Sequence, residues 1–433
     1  MTQAFDVVIV GAGMVGAALA TGLGRSGFTV ALIDQAEPIG FQAELPPDIR
    51  VSAISAGSER YLEELGAWPA IMAMRATRYT RLAVWDETRH PLSNILPRKL
   101  AEVTFDARNL SASHLGHIVE NRLTQQALWD CASSQASVTC FPGRTLTSLN
   151  NDTSNNSDSA AQVTLDNGET LKGQLVVGAD GANSGVRDLA GIGVLRNQYK
   201  QQAMVISARY RGLVEDITWQ GFYPSGPRAF LPLHSASGGE SWASLVWYDS
   251  PETLSGLKNL SNEELMQEIT KAFPPELPPL THIEARASFP IARQHAKSYV
   301  NQRVVLVGDA AHTINPLAGQ GVNLGFQDAR CLQAQLREAR RAGKELSDPA
   351  MLAAYENQRR PANRRMMMTM DLFYHLFSNS TPPLHLLRNF GMGAAKAMPF
   401  ARNQVARYAM GIDDELPPLA RQIAQKLPGL KYL

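Results

Sequence analysis

Three apolar runs along the chain each end in a glycine-containing turn, and this arrangement sets the expected fold. The first run is FDVVIVGAGMVGAALATGL at 5–23, where a strand pattern passes through closely spaced glycines into a helix pattern. The second, LVVGADGANSGVR at 175–187, and the third, VVLVGDAAH at 304–312, repeat the strand and the turn. Short apolar runs bounded by glycine turns are typical of buried strands. The pattern therefore predicts an α/β protein that opens with a β-α-β unit.

The first glycine turn has the residue types of a dinucleotide site. Gly11 permits a tight turn, Gly13 lets the backbone approach phosphates, and Gly16 allows close packing of helix on strand. The helix N-terminus offers free N–H groups and a positive dipole end to a pyrophosphate. Asp34 ends the next apolar run, VALID, where a carboxylate can accept hydrogen bonds from a ribose. A glycine spacing alone also occurs in loops that bind nothing, so the prediction depends on the full order of strand, glycines, helix, strand and acid.

A different pattern occupies residues 199–292, where apolar and polar positions alternate in short strands that contain aromatic residues. Such strands fit an antiparallel layer with one face covering the cofactor and the other facing solvent. Each aromatic residue in this region could be an ordinary core residue, and together they could form an apolar aromatic pocket. The aromatic residues concerned are Trp219, Phe222, Phe230, Trp242 and Trp247.

Length and composition narrow the class of protein. The chain has 433 residues, enough for a large cofactor domain interleaved with a smaller one. Its 41 basic and 40 acidic side chains give a net charge of +1, which does not favour nucleic acid as a partner. Cys131, Cys140 and Cys331 lack metal or redox spacing, which predicts reduced thiols and a cytoplasmic protein. The sequence predicts neither a metal site nor a membrane-spanning helix.

The three glycine segments resemble the fingerprints of the group A flavin-dependent aromatic hydroxylases, over about the first 380 residues. The resemblance implies the para-hydroxybenzoate hydroxylase-like fold, a Rossmann-like FAD-binding domain with an interleaved antiparallel β-sheet substrate domain and a helical C-terminus. It implies FAD held noncovalently, with NADPH or NADH binding transiently because a second glycine fingerprint is absent. The expected divisions are 1–75, 102–198 and 293–350 for FAD binding, 76–101 and 199–292 for the substrate sheet, and 351–433 for the helical region.

The resemblance also assigns expected roles around the third turn. Asp309 would hydrogen-bond a ribityl hydroxyl, Pro316 would lie near the flavin ring, and backbone N–H groups from Gly319 to Asn323 would face its pyrimidine edge. A glycine-rich turn ahead of an apolar helix suits negative charge on a reduced flavin. Arg50 would reach the cofactor, unless it is a solvent-facing charge. The cofactor-binding residues expected in total are Gly11, Gly13, Gly16, Asp34, Arg50, Asp180, Gly181, Gly308, Asp309, Gly319, Gln320, Gly321, Val322 and Asn323.

Further segments are similar to the bacterial ubiquinone-biosynthesis hydroxylases, among them PDIRVSAISA, WQGFYPSGPRAFLPL and WASLVWYDSP. This implies hydroxylation of the aromatic ring of a prenylated benzoquinol or phenol through a flavin hydroperoxide made from dioxygen. It also implies contact with other proteins of ubiquinone biosynthesis. His312 and Pro316 are the catalytic candidates, although a lone histidine after a turn is more often structural. A hydroxylase of a small soluble aromatic and an FAD-dependent isoprenoid reductase remain alternatives.

The C-terminal part has the composition of a membrane-surface segment. Residues 351–433 contain 11 Lys or Arg against 5 Asp or Glu, a net charge of +6. Met, Leu and Phe residues are mixed with Arg388 and Lys396 in 382–410, as in an interfacial amphipathic helix. The alternative is a helical cap with a solvated basic face. Peripheral contact with the inner face of the membrane is therefore expected.

Overall fold

The computed structural model describes residues 3–87, 102–151, 160–315, 319, 321–377 and 403. The strands of this part are β1 (Gln3–Val10), β2 (Val30–Asp34), β3 (Val51–Ser55), β4 (Thr77–Tyr79), β5 (Arg81–Asp86), β6 (Val103–Asp106), β7 (Gly116–Glu120), β8 (Val138–Pro142), β9 (Leu146–Asn150), β10 (Ala161–Leu165), β11 (Thr170–Gly178), β12 (Val194–Arg211), β13 (Ile217–Tyr223), β14 (Gly226–Ser235), β15 (Glu240–Asp249), β16 (Leu280–Ala296), β17 (Val300–Asn301), β18 (Val304–Leu306) and β19 (His312–Thr313). The helices are α1 (Met14–Arg25), α2 (Ala56–Glu64), α3 (Trp68–Met74), α4 (Asn121–Ser133), α5 (Gly185–Leu189), α6 (Pro251–Lys258), α7 (Asn262–Ala272), α8 (Gly321–Arg341) and α9 (Pro349–Phe377).

The first sheet brings the three apolar runs side by side. Its strand order is β17-β18-β11-β1-β2-β8, and β18, β11, β1, β2 and β8 are parallel. Val8 on β1 is opposite Val176 on β11, which is opposite Val304 on β18. These residues are fully buried, because helix α1 covers the sheet and α8 packs on α1. The glycine turns that follow β1, β11 and β18 therefore meet at one edge of the sheet.

The second sheet is the antiparallel layer expected from the alternating strands. Its order is β19-β16-β12-β15-β14-β13-β5-β6, with one parallel pair between β13 and β5. Helices α6 and α7 pack on one face, and each begins with a serine cap, Ser250 and Ser261. The strands β12 and β16 both run across the expected divisions at 198/199 and 292/293, and β6 also lies in this sheet. A third, small sheet has the order β3-β7-β4.

The aromatic residues of the second sheet do not form one pocket, so that part of the expectation is wrong. Trp219, Phe230 and Trp247 lie in the core beneath α6 and α7. Phe222 belongs to a separate cluster with Val103. Trp242 lies against Arg209, whose guanidinium carbon is 5.5 Å from the ring centroid. Alternation along a strand gives two faces, but it does not tell which face a helix will cover.

The C-terminal region begins as predicted with a helix, α9, which extends to Phe377. The segment 382–410, for which membrane contact is expected, lies outside the described residues apart from Asn403, and Pro316 and Gln320 are also outside them. Among the helices that are described, none combines the length and apolar character needed to cross a bilayer.

Candidate functional site

In the turn after β1, a side chain added at Gly11 or Gly16 would collide with protein, whereas one added at Gly13 would enter open space. Gly11 has a φ of +102°, and a Cβ there would lie 2.4 Å from the carbonyl oxygen of Ala179. A Cβ on Gly16 would lie 1.8 Å from the Gly11 carbonyl oxygen, so helix α1 can pack here only without a side chain. A Cβ on Gly13 meets nothing within 4 Å. The space in front of Gly13 is therefore a cradle that a phosphate group can enter.

Asp34 lies at the end of β2 beside this turn, as the sequence predicts. Its Oδ2 accepts a hydrogen bond from the Ala12 N–H at 2.6 Å, and its Oδ1 accepts one from the Ala36 N–H at 3.1 Å. Gln125 of α4 donates to the Ala12 carbonyl at 2.9 Å. Asp34 therefore supports the glycine turn, and its contact with a ribose stays a prediction.

Asp309 lies in the turn after β18. Its side chain is exposed, yet burial by the surrounding protein raises the pKa of its carboxyl, against the opposing charges of His312 and Arg50. A carboxylate that solvent can reach while protein surrounds it can accept hydrogen bonds from a bound ligand. Arg50 is also exposed and acts on the same carboxyl, so the structure brings these two predicted residues together.

Asp328 of α8 holds the turn that carries Asp309. Its Oδ2 accepts the Gly308 N–H at 3.1 Å and lies 2.5 Å from Nε2 of His312. Its Oδ1 accepts Nε of Arg359 at 2.7 Å and Nδ2 of Asn363 at 2.9 Å, both from α9. Burial raises the pKa of this carboxyl, but the opposing charges of His312 and Arg359 and the hydrogen bonds outweigh it and lower the pKa to about 2. Asp328 is an anion that binds two ends of one turn.

His312 is buried beneath the turn that carries Asp309. Its side chain is 0% exposed, and the ring of Tyr299 stacks on it with centroids 6.1 Å apart. Because the Asp328 carboxylate only accepts, Nε2 of His312 carries the proton that lies between them. This is the structural alternative for His312, and direct contact with substrate is not supported by its position.

Asp180 and Gly181 form the turn after β11. The Asp180 carboxylate accepts the Ser184 hydroxyl at 2.5 Å and the Val186 N–H at 3.0 Å, so it caps the start of α5. Gly181 has a φ of +81°, and a Cβ there would meet nothing within 4 Å. Buried Arg187 donates to the Ala310 carbonyl at 3.1 Å. Arg187, a residue that the sequence pattern did not single out, thus ties the second turn to the third.

The loop before α8 is fixed by the side chain of Asn323. Its Oδ1 accepts the Ser55 N–H at 3.0 Å and the Ser58 hydroxyl at 2.8 Å, while its Nδ2 donates to the Ala53 carbonyl at 2.9 Å. The buried amide is therefore occupied by protein, and only backbone N–H groups at the helix N-terminus remain to face a ligand. Gly319 has a φ of +63°, which a side chain would strain.

The first turn of α8 provides the last predicted cofactor residues. Gly321 begins the helix, and among the described residues a Cβ there would meet Ile314 alone, at 3.9 Å. Val322 is half-buried and packs on the core of the first sheet. The N-terminus of α8 is thus open on the side of Gly321.

The face of the second sheet opposite α6 and α7 carries polar groups that the sequence pattern did not indicate. Ser207 on β12 and Ser244 on β15 are opposite each other, and both hydroxyls are buried without a hydrogen-bond partner among the described residues. On the same face, the Tyr248 hydroxyl donates to Asn315 Oδ1 at 3.3 Å. Asn315 directly precedes the loop with Gly319 and Gly321. The alternation of β12 and β15 places these groups on one face, but serine by itself carries no signal for a site.

The donor groups and open spaces fit FAD. Gly13 and Gly181 leave cradles that a Cβ would fill, and the N-termini of α1 and α8 offer N–H groups to anionic groups. Asp309 offers an acceptor to hydroxyls. These groups lie on neighbouring turns of one sheet edge, as an extended dinucleotide requires.

Comparison with known proteins supports the same assignment. A family described as "FAD binding domain" matches residues 4–370. The chain is 45% identical to the 3-demethoxyubiquinol 3-hydroxylase of Escherichia coli, covering 95% of this chain and 99% of that protein. It is 34% identical to the ubiquinone hydroxylase UbiL of Rhodospirillum rubrum, covering 96% and 93%. The human ubiquinone biosynthesis monooxygenase COQ6 is 33% identical, with 94% and 92% covered.

Solved structures agree with the fold. PqsL, a probable FAD-dependent monooxygenase from Pseudomonas aeruginosa, matches with a TM-score of 0.72 and 22% identity, over 90% of this chain and 100% of that one. The p-nitrophenol 4-monooxygenase PnpA from Pseudomonas putida matches with a TM-score of 0.72 and 17% identity, over 95% and 97%. The resemblance found in the glycine segments is thereby confirmed. The chain belongs to the FAD binding domain family, within the FAD-dependent hydroxylases of ubiquinone biosynthesis.

Proposed function

We propose that this FAD-dependent monooxygenase hydroxylates the aromatic ring of a prenylated benzoquinol that precedes ubiquinone. The observation that carries the proposal is the 45% identity to a 3-demethoxyubiquinol 3-hydroxylase over nearly the full length of both chains. The open space at Gly13 and the exposed carboxyl of Asp309 are consistent with bound FAD, which supplies the activation of dioxygen when bound. NADPH or NADH supplies the electrons.

In this proposal the chain's own residues bind the cofactor, orient the substrate and exclude water. Backbone N–H groups at the N-terminus of α8 stabilise negative charge on the bound cofactor. The sheet face with Ser207, Ser244 and Tyr248 lies beside Asn315. Asn315 directly precedes the loop with Gly319 and Gly321. The hydroxyls of this sheet face can hydrogen-bond the ring oxygens of a quinol and so orient one ring carbon, while its apolar residues exclude water.

The test is oxygen labelling with purified holoenzyme. A demethoxyubiquinol with a short prenyl chain, NADPH or NADH and ¹⁸O₂ should give a product that gains one labelled oxygen atom. Asp309→Ala should lower the yield together with the FAD content. Oxygen derived from water would refute monooxygenation. Saturation of a prenyl double bond would indicate the reductase, and turnover of only small soluble phenols would indicate the other hydroxylase.

We further propose that residues 382–410 contact the membrane surface, since a prenylated substrate partitions into lipid. The support is compositional, because 351–433 carries a net charge of +6 in a chain of net charge +1. Flotation with anionic liposomes tests it. Full-length protein should float, and a variant truncated after Asn379 that keeps its FAD should not. Equal flotation of the two would remove this segment from the proposal. Association with other proteins of the same biosynthesis stays a prediction.

A further inference from the structure

Three side chains with metal-binding donor atoms converge at the small sheet, away from the Asp309 turn. Glu59 lies on α2, His117 on β7, and His114 in the turn before β7. Nδ1 of His117 lies 2.6 Å from Oε1 of Glu59, and Nε2 of His114 lies 2.6 Å from Oε2. One donor atom from each residue lies within 4.8 Å of the other two. The three donor groups therefore form one compact cluster, with one imidazole on each oxygen of the Glu59 carboxylate.

The surroundings of this cluster suit a bound cation. Glu59 and His117 are buried, while the side chain of His114 keeps 20% of its exposure and leaves a path to solvent. The Ser113 oxygen lies 2.7 Å from Nδ1 of His114, the nitrogen that faces away from Glu59. Such a partner fixes the imidazole with its other nitrogen directed at a metal. Trp68 packs its ring against His117, with centroids 5.1 Å apart, and so holds the second imidazole.

The carboxylate supplies the negative charge that a divalent ion needs. Two imidazoles and one carboxylate are the donor set that zinc and similar transition ions prefer over magnesium or calcium.

We propose that Glu59, His114 and His117 bind a divalent transition metal ion of the zinc type, with water completing the coordination. Metal–ligand distances of about 2.0–2.2 Å place neighbouring donors roughly 3.3 Å apart in a tetrahedral site. The two 2.6 Å contacts to Glu59 must therefore open by under 1 Å as the ion replaces the protons between them. His114 and His117 then ligate as neutral imidazoles, and their remaining N–H groups face away from the ion.

The cluster is adjacent to the loop that precedes α8. Glu59 follows Ser58, whose hydroxyl donates to Asn323 Oδ1 at 2.8 Å. His117 is opposite Ile54 in the pairing of β7 with β3. An ion at this point would connect α2 to β7 and so stiffen the support of Asn323. Its binding does not depend on the proposed hydroxylation, which makes the two proposals separately testable.

The experiment is zinc binding by FAD-loaded enzyme that has been dialysed against a chelator. Equilibrium dialysis with ZnCl₂ and elemental analysis should give one zinc per chain at micromolar free metal. Zinc should also raise the unfolding temperature, since a ligand that binds the folded state stabilises it. His114→Ala, at a partly exposed position, should weaken zinc binding at least tenfold while keeping FAD, and Glu59→Gln should do the same.

The matched control is His282→Ala. His282 is partly exposed and pairs with Glu284 at 3.5 Å, and among the described residues no third donor joins this histidine–carboxylate pair. This variant should bind zinc as the wild type does. A chain that binds no stoichiometric zinc, or one whose zinc binding survives His114→Ala, would overturn the proposal and leave Glu59 as a hydrogen-bond acceptor for two imidazoles.

Discussion

Replacing Asp328 with Asn tests whether the buried carboxylate holds the cofactor turn. Four donors converge on it, the Gly308 N–H and His312 Nε2 on one oxygen and the Arg359 Nε and Asn363 Nδ2 on the other. The amide introduced by Asp328→Asn would keep a single acceptor oxygen and would direct its NH₂ group toward donors. The guanidinium of Arg359 would also remain buried without its counter-charge. We therefore expect both lower stability and weaker FAD binding in this variant.

The expected loss of stability is large. Removing one partner of a buried ion pair costs about 3–5 kcal/mol, because the other charge stays desolvated. The matched control is Asp216→Asn, which breaks the exposed pair of Asp216 with Arg81 and should cost about 0–1 kcal/mol. Urea unfolding of the two variants and the wild type, with and without added FAD, measures both effects. If Asp328→Asn loses no more stability than Asp216→Asn, the carboxylate does not support the turn in the way described.

The dependence on pH gives a second readout for Asp328. Its folded pKa is about 2, below the ordinary 3.8, so its contribution is present above about pH 4 and is lost as pH falls through 2. A shift of this size corresponds to about 2 kcal/mol. The stability difference between wild type and Asp328→Asn should therefore shrink by roughly that amount between about pH 4 and pH 2. A difference that stays constant over this range would contradict the charge-based explanation.

Three further predictions concern FAD. Gly13→Val should fold with little change in unfolding temperature but lose FAD, because its side chain would fill the cradle. Gly16→Ala should instead destabilise the protein, since its Cβ would lie 1.8 Å from a carbonyl oxygen. Flavin absorbance and thermal unfolding separate the two effects, and a Gly13→Val enzyme with full FAD content would refute the cradle. Asp309→Ala should weaken FAD binding by about 1 kcal/mol or more per lost hydrogen bond, measured by flavin fluorescence titration; an unchanged affinity would place the ribityl chain elsewhere. Acid precipitation should release the flavin into solution, and a yellow pellet would disprove noncovalent binding.

The local parts of the site could be predicted from the sequence. The turn with Gly11, Gly13 and Gly16 could be predicted because the glycines that it requires all lie within one short segment. Asp34 follows at the end of the next strand. Parallel strands then bring the turns after β1, β11 and β18 to one edge. These features are encoded in short segments, so a pattern of apolar runs and glycines is enough to find them.

The long-range contacts could not be predicted in this way. Asp328 is one acidic residue on a helix in the sequence, and only the packing of α9 against α8 shows that Arg359 and Asn363 meet it. Glu59 lies far from His114 and His117 in the chain, so no ligand spacing indicated a metal site. Side chains that meet across several elements are set by tertiary packing, which a single sequence does not display.

The position of Arg359 and Asn363 bears on the order in which the enzyme is made. The dinucleotide turn at Gly11–Gly16 leaves the ribosome early, but the turn with Asp309 is anchored by α9, near the end of the chain. Until α9 emerges, Asp328 lacks the guanidinium that balances its charge. Asp371 of the same helix pairs with Arg293 and Tyr199 of the second sheet. We therefore expect the flavin site to be completed only after α9 has left the ribosome.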